Sequence, residues 1–309
     1  MRASSNALGA ALLIFALTSG GSGPPSSVPL TFALAGDLSL ARGVAQALGG
    51  NWNAALSGVR PALHADATLG NLESPLTVAP RRTAGIDLRA DPAAVAALTG
   101  FTQLNTQNNH AQDGGAVGQA ESGATLRRQG ILPVTSHPTI SRVRGVLVAW
   151  IGFFDDGRTA PPLAEVQDGA KRARVVIVAV HWGAEFSPVT ARQRLLAHQL
   201  AAAGATLIVG SGPHVLQQAE HLHTARGQTL VLYSLGNLLF DQTFPAARVG
   251  AVVRVRWAER NMSGQQLEAC AVPTRVRVGR VTLAPAAEAE QVLARLNLPA
   301  CAGAMGGLP

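Results

Sequence analysis

Lysine, tyrosine, cysteine and long apolar runs are all scarce in this chain of 309 residues. Aromatic residues make up 4% and the arginines are scattered, so the footprint of a nucleic-acid binder is missing and no nucleic-acid partner is expected. The apolar run from Ala7 to Leu17 falls short of the roughly 20 residues that a bilayer-spanning helix needs, and no later segment qualifies. No cysteine lies between Thr18 and Ser22, which excludes lipid attachment through a cysteine there. Neither a Gly-x-Ser-x-Gly elbow nor a Gly-x-x-x-x-Gly-Lys phosphate loop occurs, which removes the commonest serine hydrolase and nucleoside triphosphatase readings.

What is present is a core-forming composition, 47% hydrophobic, preceded by a segment with the grammar of a secretory signal. Arg2 precedes the apolar run, and Thr, Ser, Gly and Pro follow it through Val28. Residues 1–27 are therefore expected to be a signal peptide and linker. The protein is expected in the periplasm, the cell envelope or outside the cell, with membrane association if the signal stays uncleaved. Cys270 and Cys301 would be free to pair in an oxidising compartment; a free buried pair is equally compatible with the sequence. The net charge of +7 comes from 25 basic residues, of which Lys171 is the one lysine, leaving 24 arginines. That balance suits an anionic polymer or membrane surface, although a GC-rich genome produces the same arginine skew.

From Pro29 to about Val209, β-branched apolar runs alternate with segments of helical period, the pattern of a layered α/β domain. Strands are expected at Thr31–Ala35, Ala67–Leu69, Thr102–Thr106, Ile131–Val134, Val146–Phe153, Val175–Val180 and Thr206–Val209. Helices are expected at Ala41–Leu48, Pro92–Leu98 capped by Asp91, Ala116–Arg128, Leu163–Arg172 and Thr190–Ala203 ending at Gly204. Further strands follow at Ala219–His223, Thr229–Tyr233, Val249–Trp257 and Thr274–Leu283, the first two joined by a turn from Ala225 to Gln228. This β-rich half should add strands to the same structure, giving one domain over residues 28–285. Residues 286–309 read as a closing helix, Ala286–Leu296, and a frayed Gly-rich tail from Ala302.

Five polar clusters each follow directly on an expected strand: Gly36-Asp37, Asn71-Leu72-Glu73, Asn108-Asn109-His110, His181-Trp182-Gly183 and Gly210-Ser211-Gly212-Pro213-His214. Loops at the carboxyl ends of strands line one crevice in open α/β sheets, so these groups can converge although distant in sequence. Carboxylates, neutral imidazoles and an Asn carbonyl together suit a divalent metal, which activates water and offsets charge on a phosphoryl oxygen. Taken singly, Asp37 and Glu73 could equally cap helices or turns, Asn108 or Asn109 could be turn residues, and His181 could be a packed histidine.

The motifs GDLSLAR, NLESPL, NNHAQDGG, HWGAEF, GSGPHVLQ and YSLGNLLFDQ, spread over Pro29 to Gln242, resemble in order and spacing those of the CapA-type capsule-biosynthesis proteins, named for poly-γ-glutamate capsule synthesis. That family is similar to the calcineurin-like metallophosphoesterases. The resemblance implies an α/β/β/α sandwich with a β-rich C-terminal extension. It also implies metal ligation by Asp37, Glu73, Asn109, His181 and His214, with Glu73 bridging, and a nearby acid or transition-state stabiliser in His110. Asp113 would orient His110 or cap a helix. One or two divalent ions (Mn, Fe or Zn) are implied, with an anionic envelope polymer such as poly-γ-glutamate or a phosphate ester as partner.

Two departures bear on chemistry. Ser39 stands where metallophosphoesterases commonly carry a histidine, and Gly212 replaces the first histidine of a Gly-x-His-Pro-His motif. The sequence thus supports two readings, a metal-dependent phosphoesterase-like hydrolase and a non-catalytic component that keeps the fold and binds an anionic polymer.

Overall fold

A computed structural model describes residues 29–302 except Arg226, residues 261–263 and Val278. The signal-like segment, most of the Gly-rich tail and Arg226 of the turn at 225–228 lie outside the described residues.

The chain first builds most of one sheet. Strand β1 (Leu30–Leu38) is followed by helix α1 (Arg42–Leu48), β2 (Ala67–Leu72), β3 (Gln103–Asn105), α2 (Gly115–Arg128) and β4 (Leu132–Val134). It then crosses to a second sheet with β5 (Thr139–Val143), β6 (Val146–Phe154), α3 (Leu163–Arg172), β7 (Val175–His181), α4 (Ala191–Ala203), β8 (Leu207–Ser211) and the hairpin β9 (Leu216–Thr224) and β10 (Gly227–Leu235). The remaining strands return to the first sheet: β11 (Asn237–Leu239), β12 (Val249–Arg260), β13 (Gly264–Arg277) and β14 (Arg280–Leu283), before helix α5 (Ala286–Leu296). The sheet orders are β14-β13-β12-β1-β2-β3-β4, with β11 beside β1, and β5-β6-β7-β8-β10-β9.

Local chemistry explains these elements. The runs VLVAWIGFF and VVIVAVH form β6 and β7, buried along nearly their whole length as central parallel strands must be. In β12, Val253, Val255 and Trp257 alternate with Arg254 and Arg256, one face buried and the other outward. Thr190 and Gln193 close a reciprocal capping box at the start of α4.

Three apolar layers result. Leu34, Leu69, Trp150, Ile177, Leu230 and Val253 fill the space between the sheets, where Phe32 and Trp150 meet edge to face at 6.4 Å. Val44, Leu98 and Leu126 pack outside the first sheet, and Val166, Leu196 and Ile208 outside the second. The protein is a metallophosphoesterase-like α/β sandwich of two mixed sheets with flanking helices, the expected fold class.

Three local expectations need correction. Pro92–Leu98 is a 3₁₀ rather than an α-helix, although Asp91 caps it by accepting from the Ala93 N–H. The single strand expected at Thr274–Leu283 is two, because the chain reverses at Gly279 (φ +69°) and Arg277 pairs with Arg280. β5 and β11 were not anticipated: the first is a polar edge strand and the second has three residues, too few to show alternation.

Candidate metal centre

The register of the first sheet sets out half of the site. Asp37 pairs with Asn237 of β11 on one side and with Asn71 of β2 on the other, and Asn71 pairs with Asn105 of β3. Residues opposite one another on neighbouring strands point the same way, so four polar side chains form one row. In the second sheet His181 lies opposite Ser211. Gly36 permits the close approach of β1 to the turn before β11, since a Cβ there would sit 1.9 Å from the Gly236 carbonyl oxygen.

The amide groups in this row have fixed orientations. The Gln107 N–H donates to Asn105 Oδ1 (3.2 Å), so Asn105 Nδ2 donates to Asn71 Oδ1 (2.9 Å). Asn71 Nδ2 then donates to Asp37 Oδ1 (2.7 Å) and lies 3.2 Å from His181 Nδ1, which must accept. Ser211 Oγ lies 3.3 Å from the same nitrogen. On the opposite flank, Asn237 Nδ2 donates to the Ala247 carbonyl (2.9 Å) and to Gln242 Oε1 (2.8 Å). Its Oδ1 therefore faces His214 Nδ1 at 2.9 Å.

The groups that converge are Asp37, Glu73 and His214, all buried, each offering one ligand atom within 4.8 Å of the others. Asp37 Oδ2 accepts from the Gly212 N–H (3.1 Å) and lies 3.3 Å from His214 Nδ1; His214 Nε2 lies 3.7 Å from Glu73 Oε1. Glu73 Oε2 is buried with no hydrogen-bond partner. A buried carboxylate oxygen without a donor is costly unless a cation or proton meets it. The donor set of two carboxylates and an imidazole fits a divalent ion, and these residues would hold it.

Electrostatics agree with that geometry. Burial pushes the Glu73 carboxyl well above its usual range, reinforced by Asp37, Glu185 and Asp113 and opposed by His214. For His214, burial works against protonation but is outweighed by Glu73, Asp37 and Asn237, which raise its pKa to about 10. Burial lowers His181 to about 4 despite Asp37, so it is neutral at neutral pH. Asp37 is lowered: burial opposes this, but His214, His181 and the Gly212 N–H outweigh it.

The other expected residues are placed as follows. His110, partly buried, has Nδ1 2.9 Å from Asp113 Oδ2, an oxygen that also accepts from the Leu88 N–H (2.7 Å). Asp113 therefore faces His110, and α2 has no side-chain cap. His181 is buried beside Asp37 and Asn71 but is not one of the three converging groups. Asn109 is exposed, whereas Asn108 is buried and donates to the Leu72 carbonyl (2.9 Å), with Asn71 Oδ1 at 3.4 Å. Gly212 sits at φ +106°, and a Cβ there would be 2.7 Å from the Trp182 carbonyl oxygen and 3.1 Å from His181 Nε2. The backbone therefore leaves no room for the missing histidine. Asn71, Asn105, Asn108, Ser211 and Asn237 were not named as site residues from sequence. Asn71, Asn108 and Ser211 stood inside the polar clusters, while Asn237 follows a strand and a Gly turn and so carried the same signal.

Fold and side chains together define a metallophosphoesterase-like sandwich with a candidate metal centre at its strand ends. Residues 31–242 match the family described as "Bacterial capsule synthesis protein PGA_cap", and the chain belongs to that family. It is 32% identical over 220 residues to the PGA biosynthesis protein CapA of Bacillus subtilis (strain 168), covering 61% of this chain and 57% of that protein. It is 29% identical over 263 residues to the capsule biosynthesis protein CapA of Bacillus anthracis, covering 73% of this chain and 63% of that protein. The chain thus spans about three-fifths of the length of these curated relatives.

Proposed function

We propose that this chain is an exported capsule or cell-envelope polymer biosynthesis protein with a metal-dependent phosphoesterase-like site. The observation that carries the reading is the convergence of Asp37, Glu73 and His214 around a carboxylate oxygen that has no protein partner. A divalent ion there, Mn, Fe or Zn, supplies Lewis acidity toward a phosphoryl oxygen and water. The chain's own residues do the rest. Asn71 and the Gly212 N–H hold the Asp37 carboxylate, and Asn237 holds His214. His110 gives its Nδ1–H to Asp113, so its imidazolium form would carry a second proton on Nε2 to transfer to a leaving oxygen, ending as the neutral ring. The substrate is an anionic envelope polymer such as poly-γ-glutamate, or a phosphate ester. Export is supported by the disulfide joining Cys270 to Cys301, a bond at home in oxidising compartments.

The test is metal content by mass spectrometry after growth in manganese-supplemented medium, paired with hydrolysis of a chromogenic phosphodiester. Wild type should retain metal and turn over; Asp37→Asn and His214→Ala should lose both, and His110→Ala should keep metal but lose turnover. A metal-free wild type sinks the reading.

The second reading, a non-catalytic polymer-binding assembly component, is favoured by Gly212 and by the net charge of +7. Metal retained without turnover, alongside salt-sensitive binding of poly-γ-glutamate, would select it.

A further inference from the structure

A cavity of about 770 Å³ opens between α5, the helical turn Pro245–Arg248, Leu216 at the start of β9, and β13. Three guanidinium groups stand around it, those of Arg248, Arg275 and Arg295. Arg275 is engaged by Glu288, which also lines the cavity. Arg248 and Arg295 are exposed, and among the described residues neither is paired with a carboxylate. The positive surface continues along β13, where Arg277 lies two places beyond Arg275 on the same side and faces Arg280 across the hairpin. Like charges directly opposite one another are unfavourable in a sheet, so this pair gains from an anion near it.

We propose that this cavity is a second binding site, for successive carboxylates of an extended polyanionic chain. Arg248 and Arg295 present separate single charges, each suited to a carboxylate gripped through two N–H groups. Glu288 already engages Arg275, so the charges open to a ligand are those of Arg248 on the Pro245–Arg248 turn and Arg295 on α5. The cavity also shares a wall with the metal centre. The segment from Asp241 to Arg248 presents Phe244 to Phe186 at 4.9 Å, and Phe186 lies 6.4 Å from the His214 ring. Asn237, which holds His214, binds the Ala247 carbonyl between the cavity-lining Ala246 and Arg248. The far wall, α5, is held by Val292 and Leu296 in the core between the sheets, and the Cys270–Cys301 bond ties the segment after it to β13.

The inference rests on the polymer-handling reading for the identity of the chain. The test is binding of a fluorescent oligo-γ-glutamate to the full chain by anisotropy, with oligo-γ-glutamine and inorganic phosphate as competitors. The Arg248→Gln/Arg295→Gln double variant should weaken binding roughly tenfold or more. Neither competitor should displace the probe, and Arg127→Gln, a change at an exposed arginine outside the cavity lining, should bind it as wild type does. Arg295→Glu, a single change on an exposed helix face, should weaken binding in the same direction. Equal affinity in wild type and double variant overturns the proposal, as does displacement by phosphate. Metal content is read on the same samples. A metal-free protein that still binds the oligomer through these arginines leaves the second site standing and removes the metal reading; the reverse outcome separates them the other way.

Discussion

Asn237 fixes the tautomer of His214. Its carboxamide spends both N–H bonds on Gln242 and the Ala247 carbonyl, so the oxygen 2.9 Å from the imidazole can only accept, and Nδ1 must carry the proton. In the neutral imidazole that a metal requires, the lone pair is then on Nε2, the nitrogen that faces Glu73 at 3.7 Å. Outer partners of this kind typically contribute 10–100-fold to metal affinity. Asn237→Ala is expected to weaken manganese binding by about that factor, measured by competition with a chelating dye. Unchanged affinity would show that His214 is held by Asp37 alone.

Gly212 should resist substitution. Gly212→Ala puts a methyl 2.7 Å from the Trp182 carbonyl oxygen at φ +106°, and a cost of about 2–4 kcal/mol is expected from strain and overpacking. Urea denaturation measures it. Gly212→His should be at least as unstable and gain no second equivalent of metal; a stable variant with two ions would refute both statements.

The Cys270–Cys301 bond closes a loop with a sequence separation of 31 residues. Loop-closure entropy puts its contribution at about 3–4 kcal/mol. Cys301→Ser should lower the urea midpoint accordingly, and reduction should do the same to wild type while leaving Cys301→Ser unaffected. A midpoint that does not move in either sample would mean the reduced loop keeps its structure when unfolded.

Asp66 joins the two sheets. It accepts from the Thr31 N–H and hydroxyl, both at 2.8 Å, and pairs with Arg144 across the gap. Burial pushes its pKa up, but these bonds and Arg144 outweigh burial and lower it. Because the unfolded carboxyl takes up its proton at higher pH than the folded one, this contribution is complete above the ordinary carboxylate pKa. It is lost as pH falls from there through the lowered value. Thermal melts across that acid window should fall less steeply for Asp66→Asn than for wild type; parallel curves would remove Asp66 from the account.

The layered α/β alternation and the strand-end polar clusters were legible because physics writes them locally, whereas the two-sheet sandwich was implied only by the family resemblance. A buried parallel strand demands a continuous apolar run, and the polar residues that break each run mark its carboxyl end. That rule located Asp37, Glu73, His181 and His214 without any contact information. It could not choose between Asn108 and Asn109, since the turn that buries one and exposes the other has no periodicity. Nor could it show that Asn237 belongs to the row, because membership depends on β11 pairing with β1, a non-local event. The same limit applies to α5: its amphipathic spacing announced a helix, but the cavity beside it is made by residues from four separated segments.

The polar row runs across neighbouring strands in register, so the centre belongs to the backbone ladder more than to its loops. Removing one residue from β1 ahead of Asp37 would turn that carboxylate to the opposite side of the sheet and dismantle every bond described for it. Lengthening the connection beyond Ser74 would leave the row's register untouched, whereas the segment beyond Leu239 supplies the two acceptors that hold Asn237. Chain length within β1, β2 and β11 is therefore constrained by the geometry of the candidate centre, while the connection from β2 to β3 is freer to diverge in size.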